Sequence, residues 1–350
     1  MSIYQHVPSR NIIRHGREDN LFKEALDQLP VIFSHENTFA FQLTEFPEDY
    51  PASYNFPAGV DANQNTYYNR GFDTHASWTV PQHCADMCSL FSCVDFGVCV
   101  LYSWTFTESV VASFTKDQNM IVDLGKVCYD EAAGALYGAS DDHGNQTLLK
   151  TRGQILRACR GARKPPLTPA AFADKLSSPE IKFTNGKEDK PRVLDIQERA
   201  FQISFSGVKG LKYNNLKWGD EDAKAVASVL QTCVATQLEE LHLDDNEITD
   251  TGLTALTAAM LLGPVGDKAN RRSTVPNLRL LSLRSCKIDS KGIRELVGAI
   301  RSGALPSLER LDVSANIFSE KPYEERKGEK KECTDELKKV CELWGCEVLQ

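Results

Sequence analysis

The chain has 350 residues, which predicts two domains or one elongated domain. It is 41% hydrophobic and 25% charged, a globular composition that excludes collagen and long-range disorder. Its 40 Lys and Arg against 48 Asp and Glu give a net charge of −8, which disfavours nucleic acid as the main partner because phosphate binding requires a basic excess.

Neither a secretory signal nor a membrane span is expected. The N-terminus has no basic segment followed by an apolar one, and the most apolar stretch, 87–104, carries Asp95 near its middle, where a charge costs several kcal/mol. The eleven cysteines are therefore expected to be reduced thiols. These features together predict a cytoplasmic protein.

Residues 1–165 are predicted to form a small α/β domain. Apolar spacing and turn residues define its elements. They are helices at 19–28, 82–91 and 117–137, strands at 31–33, 39–43 and 96–102, and a loop at 47–65. Thr147 or Thr151 is predicted to cap a helix that ends at Arg160.

The densest group of metal-type side chains also lies in this domain. It consists of His83, Cys84, Cys88, Cys93 and Cys99. No second cysteine pair occurs at the spacing that a structural zinc site requires, so buried packing is the favoured interpretation over zinc. No phosphate-binding glycine motif and no cysteine–histidine catalytic frame is present. We therefore assign no catalytic, metal or cofactor residue.

Residues 166–207 are predicted to be a linker and the N-terminal cap of the segment that begins at Val208. Thr168 precedes Pro169, the combination of a helix N-cap and a proline at the first helical position, and a helix is expected to run to Leu176. Asn185, Gly186 and Lys187 indicate a turn. The cap is expected to include residues 197–203.

Residues 208–332 contain a repeated pattern, L-x-x-L-x-L-x-x-[N/C]-x-[I/F]. In chain order, the second apolar position of the pattern falls at Leu211, in a weaker copy, and then at Leu241, Leu281 and Leu311. The intervals between these leucines are 30, 40 and 30 residues. The longer interval predicts a ten-residue insertion within 262–276, which we interpret as a mobile loop. One copy cannot bury its apolar row alone, so the copies must stack.

A helical apolar row comes after each strand-like part of the pattern. Asp220, Asp250 and Ser290 stand just before these rows and are predicted to be helix N-caps. Each copy is therefore a strand, a turn and a helix.

The repeats resemble the ribonuclease-inhibitor type of leucine-rich repeat, over about a third of the chain. The resemblance implies an α/β fold, a short solenoid with parallel strands inside and helices outside. It also implies that Asn246 and Asn316 bond the backbone where each strand ends, with Cys286 in the same row. Leu216 cannot make those bonds, so the first copy is interpreted as degenerate.

The pattern fades after Phe318. The mixed-charge run 320–332 is interpreted as a solvated segment. Residues 333–350 are predicted to be a C-terminal cap, with a helix from Thr334 that carries Leu337 and Val340 and a last strand near Val348.

Successive side chains of a strand point to opposite faces, so the side chains between the repeat leucines are expected on the inner face of the strands. Opposite charges are neighbours there, for example Asp244 and Arg284, which suits a protein partner and argues against a nucleic-acid groove. The candidate partner-binding residues are Lys212, Asn214, Glu240, His242, Asp244, Arg284, Arg310 and Asp312. The sequence thus predicts a protein–protein interaction or scaffolding module of unknown partner. An inert solvated face stays the open alternative.

Residues 67–72 (Tyr-Tyr-Asn-Arg-Gly-Phe), with 183–187 and 218–220, resemble an uncharacterised arrangement in leucine-rich repeat proteins of unicellular eukaryotes. The aromatic-Arg-Gly-aromatic turn is distantly similar to the Toll/interleukin-receptor fold, in which a glutamate on the next helix can cleave NAD. Here that position is Ala76. A divergent NAD hydrolase-like enzyme or small-molecule binder in residues 1–165 is therefore the second hypothesis, and a subunit of a large assembly is the third.

Overall fold

The computed structural model describes eleven stretches of the chain. They are residues 38–43, 76–81, 107, 109–123, 126–130, 133–138, 146–161, 163–178, 186–262, 272–316 and 323–349. The predicted elements at 19–28, 31–33, 47–65, 82–91 and 96–102 lie outside them. The chain divides into two compact units, residues 1–164 with 169–200, and residues 165–168 with 201–350.

The first unit contains a three-stranded sheet. Its central strand β1, Thr38–Leu43, confirms the strand predicted at 39–43. Strand β2, Ala76–Pro81, pairs antiparallel with β1, and β3, Ile121–Asp123, pairs parallel with its other side. A single 3-10 turn at Gln118–Met120 leads directly into β3.

The helix predicted at 117–137 is wrong. After β3 the chain forms strand β4, Val127–Asp130, and strand β5, Ala135–Gly138, which pair as an antiparallel hairpin. The segment is rich in Ile, Val and Tyr, whose branched or aromatic side chains favour strands. The apolar spacing was compatible with a helix only because strands this short contain too few residues to show their own period of two.

Helix α1, Arg152–Ala158, begins as the sequence predicted. Thr151 is its N-cap, and a reciprocal pair of bonds joins Thr151 to Gln154: the Gln154 N–H donates to Thr151 Oγ1 (3.2 Å) and the Thr151 N–H donates to Gln154 Oε1 (3.0 Å). Helix α2, Pro169–Leu176, is confirmed at both ends. Helix α3, Gly186–Ser206, begins within the turn predicted at residues 185–187 and contains residues 197–203, which were predicted to belong to the cap. The division between the two units falls within α3.

Among the described residues, seven strands belong to the second unit. They are β6 (Gly210–Lys212), β7 (Glu240–His242), β8 (Leu261–Leu262), β9 (Arg272–Ser273), β10 (Leu280–Ser282), β11 (Arg310–Asp312) and β12 (Glu347–Leu349). Five of them form one parallel sheet in the order β12-β11-β10-β7-β6. The repeat leucines lie side by side in its register, from Leu211 to Leu241, Leu281 and Leu311, and Val348 completes the row.

The helices of the second unit are α4 (Asp220–Gln231), α5 (Asp250–Ala259), α6 (Ser290–Arg301) and α7 (Tyr323–Trp344). Consecutive helices pack against each other. The four aligned leucines of the sheet are at most 1% exposed, and each fully buried leucine contributes roughly 1.5–3 kcal/mol. The apolar rows of the helices are buried with them, so sheet and helices share one core.

Helix α7 begins at Tyr323, earlier than the predicted Thr334. Most of the charge run that we interpreted as a solvated segment is therefore helical backbone, as expected for a sequence rich in Glu and Lys, both good helix formers. The helix also runs across the border predicted between the repeats and the C-terminal cap.

The insertion between the second and third copies has an ordered base. Strands β8 and β9 pair antiparallel around residues 263–271, which lie outside the described residues. The Thr274 N–H donates to the Met260 carbonyl (3.1 Å), and Thr274 Oγ1 donates to the Ala259 carbonyl (3.0 Å). Strands β8 and β9 and the two bonds of Thr274 therefore place both ends of the insertion beside the end of α5.

Candidate functional site

Where strands β7, β10 and β11 end, a polar side chain or a thiol bonds the backbone of the adjoining turn. Asn246 Oδ1 accepts from the N–H groups of Leu216 (3.0 Å) and Trp218 (3.1 Å). Its Nδ2 donates to the carbonyls of Tyr213 (2.7 Å) and Leu243 (2.9 Å). One buried amide thereby satisfies four backbone groups and locks two neighbouring copies together.

The next two copies use the same position. Asn316 Nδ2 donates to the Leu283 carbonyl (2.7 Å), and its Oδ1 accepts from the Ile288 N–H (3.2 Å). Cys286 donates from Sγ to the Leu243 carbonyl (3.3 Å). Burial raises the pKa of Cys286 to about 11, so the thiol keeps the proton that it donates. The bonds that the resemblance implied for Asn246, Asn316 and Cys286 are present.

The residue before each of these positions has a left-handed backbone. These residues are Asn215, Asp245, Ser285 and Ala315, with φ between 54° and 57°. The first three extend the sheet, since their N–H groups donate to the carbonyls of residues 244, 284 and 314. The backbone is therefore fixed for two residues beyond each strand, and the side chains at 214, 244, 284 and 314 form a defined third row.

The helix N-caps differ from the prediction by one residue. Thr249 caps α5 and Asp289 caps α6, so Asp250 and Ser290 are first helical residues, as Asp220 is in α4. The side chains of Asp220 and Asp250, each expected to cap its own helix, reach the next copy instead. These bonds between copies have no local signal, because their partners are 29 and 39 residues apart in sequence.

The carboxylate of Asp220 shows how the connection works. Its Oδ1 accepts from the N–H groups of Thr249 (2.8 Å) and Gly252 (3.0 Å), and its Oδ2 accepts from Thr249 Oγ1 (2.7 Å). Asp250 repeats the arrangement one copy later, where its Oδ1 accepts from the Asp289 N–H (2.9 Å). Neighbouring copies are thus joined at their helix starts as well as at their strand ends.

The inner surface is the set of alternating strand residues on the face away from the leucines, together with the third row. Its rows across the sheet follow the strand pairing. They are Gly210, Glu240, Leu280, Arg310 and Glu347; Lys212, His242, Ser282, Asp312 and Leu349; and Asn214, Asp244, Arg284 and Ser314. The sheet register therefore brings all eight predicted residues onto one face.

The eight residues differ in exposure. Five are exposed, namely Lys212, Asn214, Glu240, Arg284 and Arg310. The other three, His242, Asp244 and Asp312, are half-buried and bond within the protein. Asp312 Oδ1 accepts from both the N–H (2.9 Å) and the Oγ (2.6 Å) of Ser314, which stabilises the turn after β11.

His242 lies between two carboxylates of its own strand. Its Nε2 is 3.3 Å from Glu240 Oε2, and its Nδ1 is 3.6 Å from Asp244 Oδ2. The hydrogen bond to Asp244 raises the pKa of His242 above its ordinary value, although burial opposes this. Burial alone would raise the pKa of Asp244, but hydrogen bonds from His242 and Ser282 hold it below its ordinary value. The group thus keeps a net negative charge, because one imidazolium can compensate only one of the two carboxylates.

Asp244 and Arg284, predicted to be neighbours of opposite charge, occupy equivalent positions of adjoining copies in the third row. No ion pair joins the two side chains in the described part of the chain, because Asp244 is engaged by His242 and Ser282. Arg284 is left as an exposed cation at the end of β10. The inner surface is therefore less self-neutralised than the sequence suggested.

Ion pairs that sequence reasoning missed flank the inner surface. Lys209 pairs with Glu239 (3.1 Å) and Arg279 with Glu309 (3.7 Å) just before the strands, and Glu247 pairs with Lys287 (2.9 Å) after them. A signal was available, since opposite charges stand at equivalent positions of neighbouring copies. Each such exposed pair contributes about 1 kcal/mol or less, so they help alignment more than stability.

Two stretches that contain this geometry match a family model described as Leucine Rich repeat, at residues 235–256 and 276–297. The chain contains leucine-rich repeats. The matched stretches are the second and third copies, each with its strand, its turn and the start of its helix. No curated protein matches the chain. Leucine-rich repeats generally mediate protein–protein interaction, which supports a protein partner.

The remaining predictions concern metal ions, membranes and the first unit. Across the described ranges, no group of three His, Cys, Asp or Glu side chains is placed to hold a metal ion. None of the helices in those ranges is long and apolar enough to cross a membrane. The group from His83 to Cys99 and the turn at 67–72 lie outside the described residues. Ala76, placed on a helix by the resemblance to the Toll/interleukin-receptor fold, instead begins strand β2.

Proposed function

We propose that this chain is a protein-binding module whose inner surface holds another protein. In this proposal the four copies and the C-terminal segment stack as a short solenoid of the ribonuclease-inhibitor type, with strands inside and helices outside. Scaffolding and a cytoplasmic location are parts of the proposal that stay predictions.

One observation carries the proposal. The sheet register aligns charged and polar side chains from four strands on one face, while backbone and side-chain bonds fix the turns beneath them. A surface whose backbone is already ordered loses little conformational entropy when a partner binds. Side chains of both signs then supply specificity through charge complementarity.

The side chains most available to a partner are Glu240, Arg284 and Arg310. All three are exposed and lie on neighbouring strands. An arginine can bind a carboxylate through two parallel hydrogen bonds and is enriched in interfaces. Asp244 and Asp312 bond within the fold, so their replacement would mix lost binding with lost stability.

The test is a triple substitution, Glu240→Ala, Arg284→Ala and Arg310→Ala, in the full chain. Partners are first identified by cross-linking and mass spectrometry in native cells, and the strongest is then purified for direct titration calorimetry. We expect the triple variant to bind at least about 100-fold more weakly, as loss of a few central contacts does. Its melting temperature should stay within a few degrees, because these side chains are exposed.

A matched control changes the opposite side of a repeat. Glu221 and Lys224 form an exposed pair (2.6 Å) on α4, and Glu221→Ala with Lys224→Ala should leave the affinity unchanged. If the triple variant bound like the unmodified chain, the inner surface would not be the binding site. An equal loss in the α4 variant would also contradict the proposal.

A further inference from the structure

The chain makes a sharp corner between α7 and β12. The Gly345 N–H donates to the Glu342 carbonyl (3.3 Å), and the Cys346 N–H donates to the Cys341 carbonyl (2.8 Å). Gly345 has φ of +72°, the left-handed conformation that a residue with a Cβ adopts only with strain. These two bonds and this glycine form a Schellman motif, in which the residues at its two ends, here Cys341 and Cys346, are brought into side-chain contact.

The side chains that meet at this corner are both thiols. Cys341 is fully buried and Cys346 is 8% exposed, and both are free. Interaction with the Cys346 thiol lowers the pKa of Cys341 against the effect of burial, and the Cys341 thiol raises the pKa of Cys346, whose Sγ donates to the Glu347 carbonyl (3.5 Å). A typical Schellman motif has two apolar side chains here, so packing alone does not require two cysteines.

We propose that Cys341 and Cys346 are a site of reversible oxidation, at which a hydroperoxide converts the two thiols into one intrachain disulfide. The Cys341 thiolate attacks the peroxide oxygen, the O–O bond breaks, and Cys341 sulfenic acid and one water form. The Cys346 sulfur then attacks the sulfenic sulfur, the S–S bond forms, and a second water leaves. Two thiols are oxidised as hydrogen peroxide is reduced to two waters.

The backbone of the corner brings the two cysteines together. A disulfide needs Cα atoms roughly 4.4–6.8 Å apart with converging Cβ atoms. The bond from the Cys346 N–H to the Cys341 carbonyl (2.8 Å) folds the two ends of this six-residue segment towards each other. Residues between the two thiols are exposed, since Leu343 is 78% and Trp344 46% exposed. Terminal turns open at low cost in free energy, which admits a small oxidant.

Three other described cysteines lie outside this corner. Cys286 donates to the Leu243 carbonyl and Cys333 to the Ser290 carbonyl (3.7 Å). Cys128 is exposed on β4. The disulfide would tie the edge strand β12 covalently to α7, so the oxidised form would hold the last strand of the sheet more firmly than the reduced form.

Tryptic digestion makes the test direct. Cleavage after Lys339 releases residues 340–350, which contain Cys341 and Cys346 and no other cysteine. The full chain is treated with hydrogen peroxide, and its remaining thiols are alkylated either directly or after reduction with dithiothreitol. The mass of the peptide 340–350 is then measured by mass spectrometry in both samples. We expect a peptide lighter by two hydrogens and unalkylated after peroxide, and a doubly alkylated peptide after dithiothreitol.

Two variants complete the test. Cys346→Ser should abolish the lighter peptide. Gly345→Ala should lower the fraction of the disulfide-containing peptide about fivefold at equilibrium with a dithiothreitol buffer. Alanine in the left-handed conformation adds roughly 1 kcal/mol of strain, which the reduced corner can relieve by opening and the disulfide-bonded corner cannot. Oxidation of the exposed Cys128 shows that the peroxide dose was sufficient. The proposal is overturned if, at that dose, the peptide from the folded protein is still doubly alkylated. Over-oxidation of either thiol or a disulfide between chains under those conditions would equally overturn it.

Discussion

Asp250 and Asp289 are two carboxylates held against each other between neighbouring copies. Burial, and after it the hydrogen bond shared with Asp289, raises the pKa of Asp250 to about 6. The same hydrogen bond lowers the pKa of Asp289. The raised pKa means that Asp250 is mostly protonated below about pH 6 and mostly charged above it, where it repels the Asp289 carboxylate.

This pair predicts a stability that depends on pH. The pKa of Asp250 is higher in the folded chain than the roughly 3.9 of an unfolded aspartate, so the folded state binds more protons in this window. Its contribution to stability is therefore present at low pH and is lost as pH rises through about 6. The pKa of Asp289 is shifted in the opposite direction, below that of an unfolded aspartate. The contribution of Asp289 to stability is therefore lost only as pH falls below the ordinary range of an aspartate.

Asp250→Asn should mimic the protonated side chain at every pH. The amide keeps an oxygen for the Asp289 N–H and supplies a permanent donor to the Asp289 carboxylate. We expect a rise in melting temperature of about 2–4 °C at about pH 8, which corresponds to one hydrogen bond of about 1 kcal/mol. The rise should be smaller at about pH 5, where Asp250 of the folded chain is already mostly protonated. Thermal unfolding followed by circular dichroism at both pH values measures this.

The control is Asp220→Asn, the equivalent change one copy earlier. Asp220 accepts three hydrogen bonds from Thr249 and Gly252, and Thr249 occupies the place that Asp289 has one copy later. Its replacement should give no gain at the higher pH. A pH-independent effect of Asp250→Asn, or an equal gain in both variants, would refute the shared proton.

At the scale of the element, helix α6 carries two glycines with opposite surroundings. An added Cβ at Gly292 would lie 2.4 Å from Asp250 Oδ1 and 2.9 Å from Ile288 Cγ2. Gly298, further along the helix, is exposed and has no such neighbours within 4 Å. Helix propensity alone would favour alanine at both positions by roughly 1 kcal/mol.

Gly292→Ala should destabilise the chain by about 1–3 kcal/mol despite the better helix propensity. The Asp250 carboxylate cannot move away without losing its bond to the Asp289 N–H, so the cost is that of overpacking a fixed site. Gly298→Ala should stabilise by about 0.5–1 kcal/mol. Urea unfolding of both variants gives the free energies, and a stabilising Gly292→Ala would show that adjacent copies are loosely packed.

The elements also show what the sequence could predict. The intervals of 30, 40 and 30 residues correctly placed the four strands of the repeats and the amide row at Asn246 and Asn316, because a buried stack demands the same residue type at each equivalent place. The caps at Thr249 and Asp289 were missed because Asp220 and Asp250 form bonds between copies. In the first unit no repeat supplied such a constraint, and the strands at 121–138 were assigned to a helix.

At the scale of the molecule, the described sheet ends at an edge strand. Strand β12 pairs with β11, and α7 packs against α6. Cys333, Leu337, Val340 and Cys341 of α7 are each at most 2% exposed. An exposed ion pair of Arg301 with Glu336 (2.8 Å) spans the two helices. A sheet of stacked copies requires such a terminal segment, since each copy can bury only the side that a neighbour covers.

Two truncations separate the contributions of that segment. Removal of residues 333–350 uncovers one side of α6 and leaves β11 as the edge, and the four buried side chains of α7 contribute roughly 1–3 kcal/mol each. Because a whole domain is stable by only about 5–15 kcal/mol, we expect the repeats to be unfolded or aggregated. Removal of residues 345–350 alone deletes β12 and keeps α7, so a folded chain with a lower melting temperature is expected. Circular dichroism and size-exclusion chromatography distinguish the two results. If the chain without residues 333–350 unfolded as cooperatively, and at the same temperature, as the full chain, α7 would not stabilise the repeats.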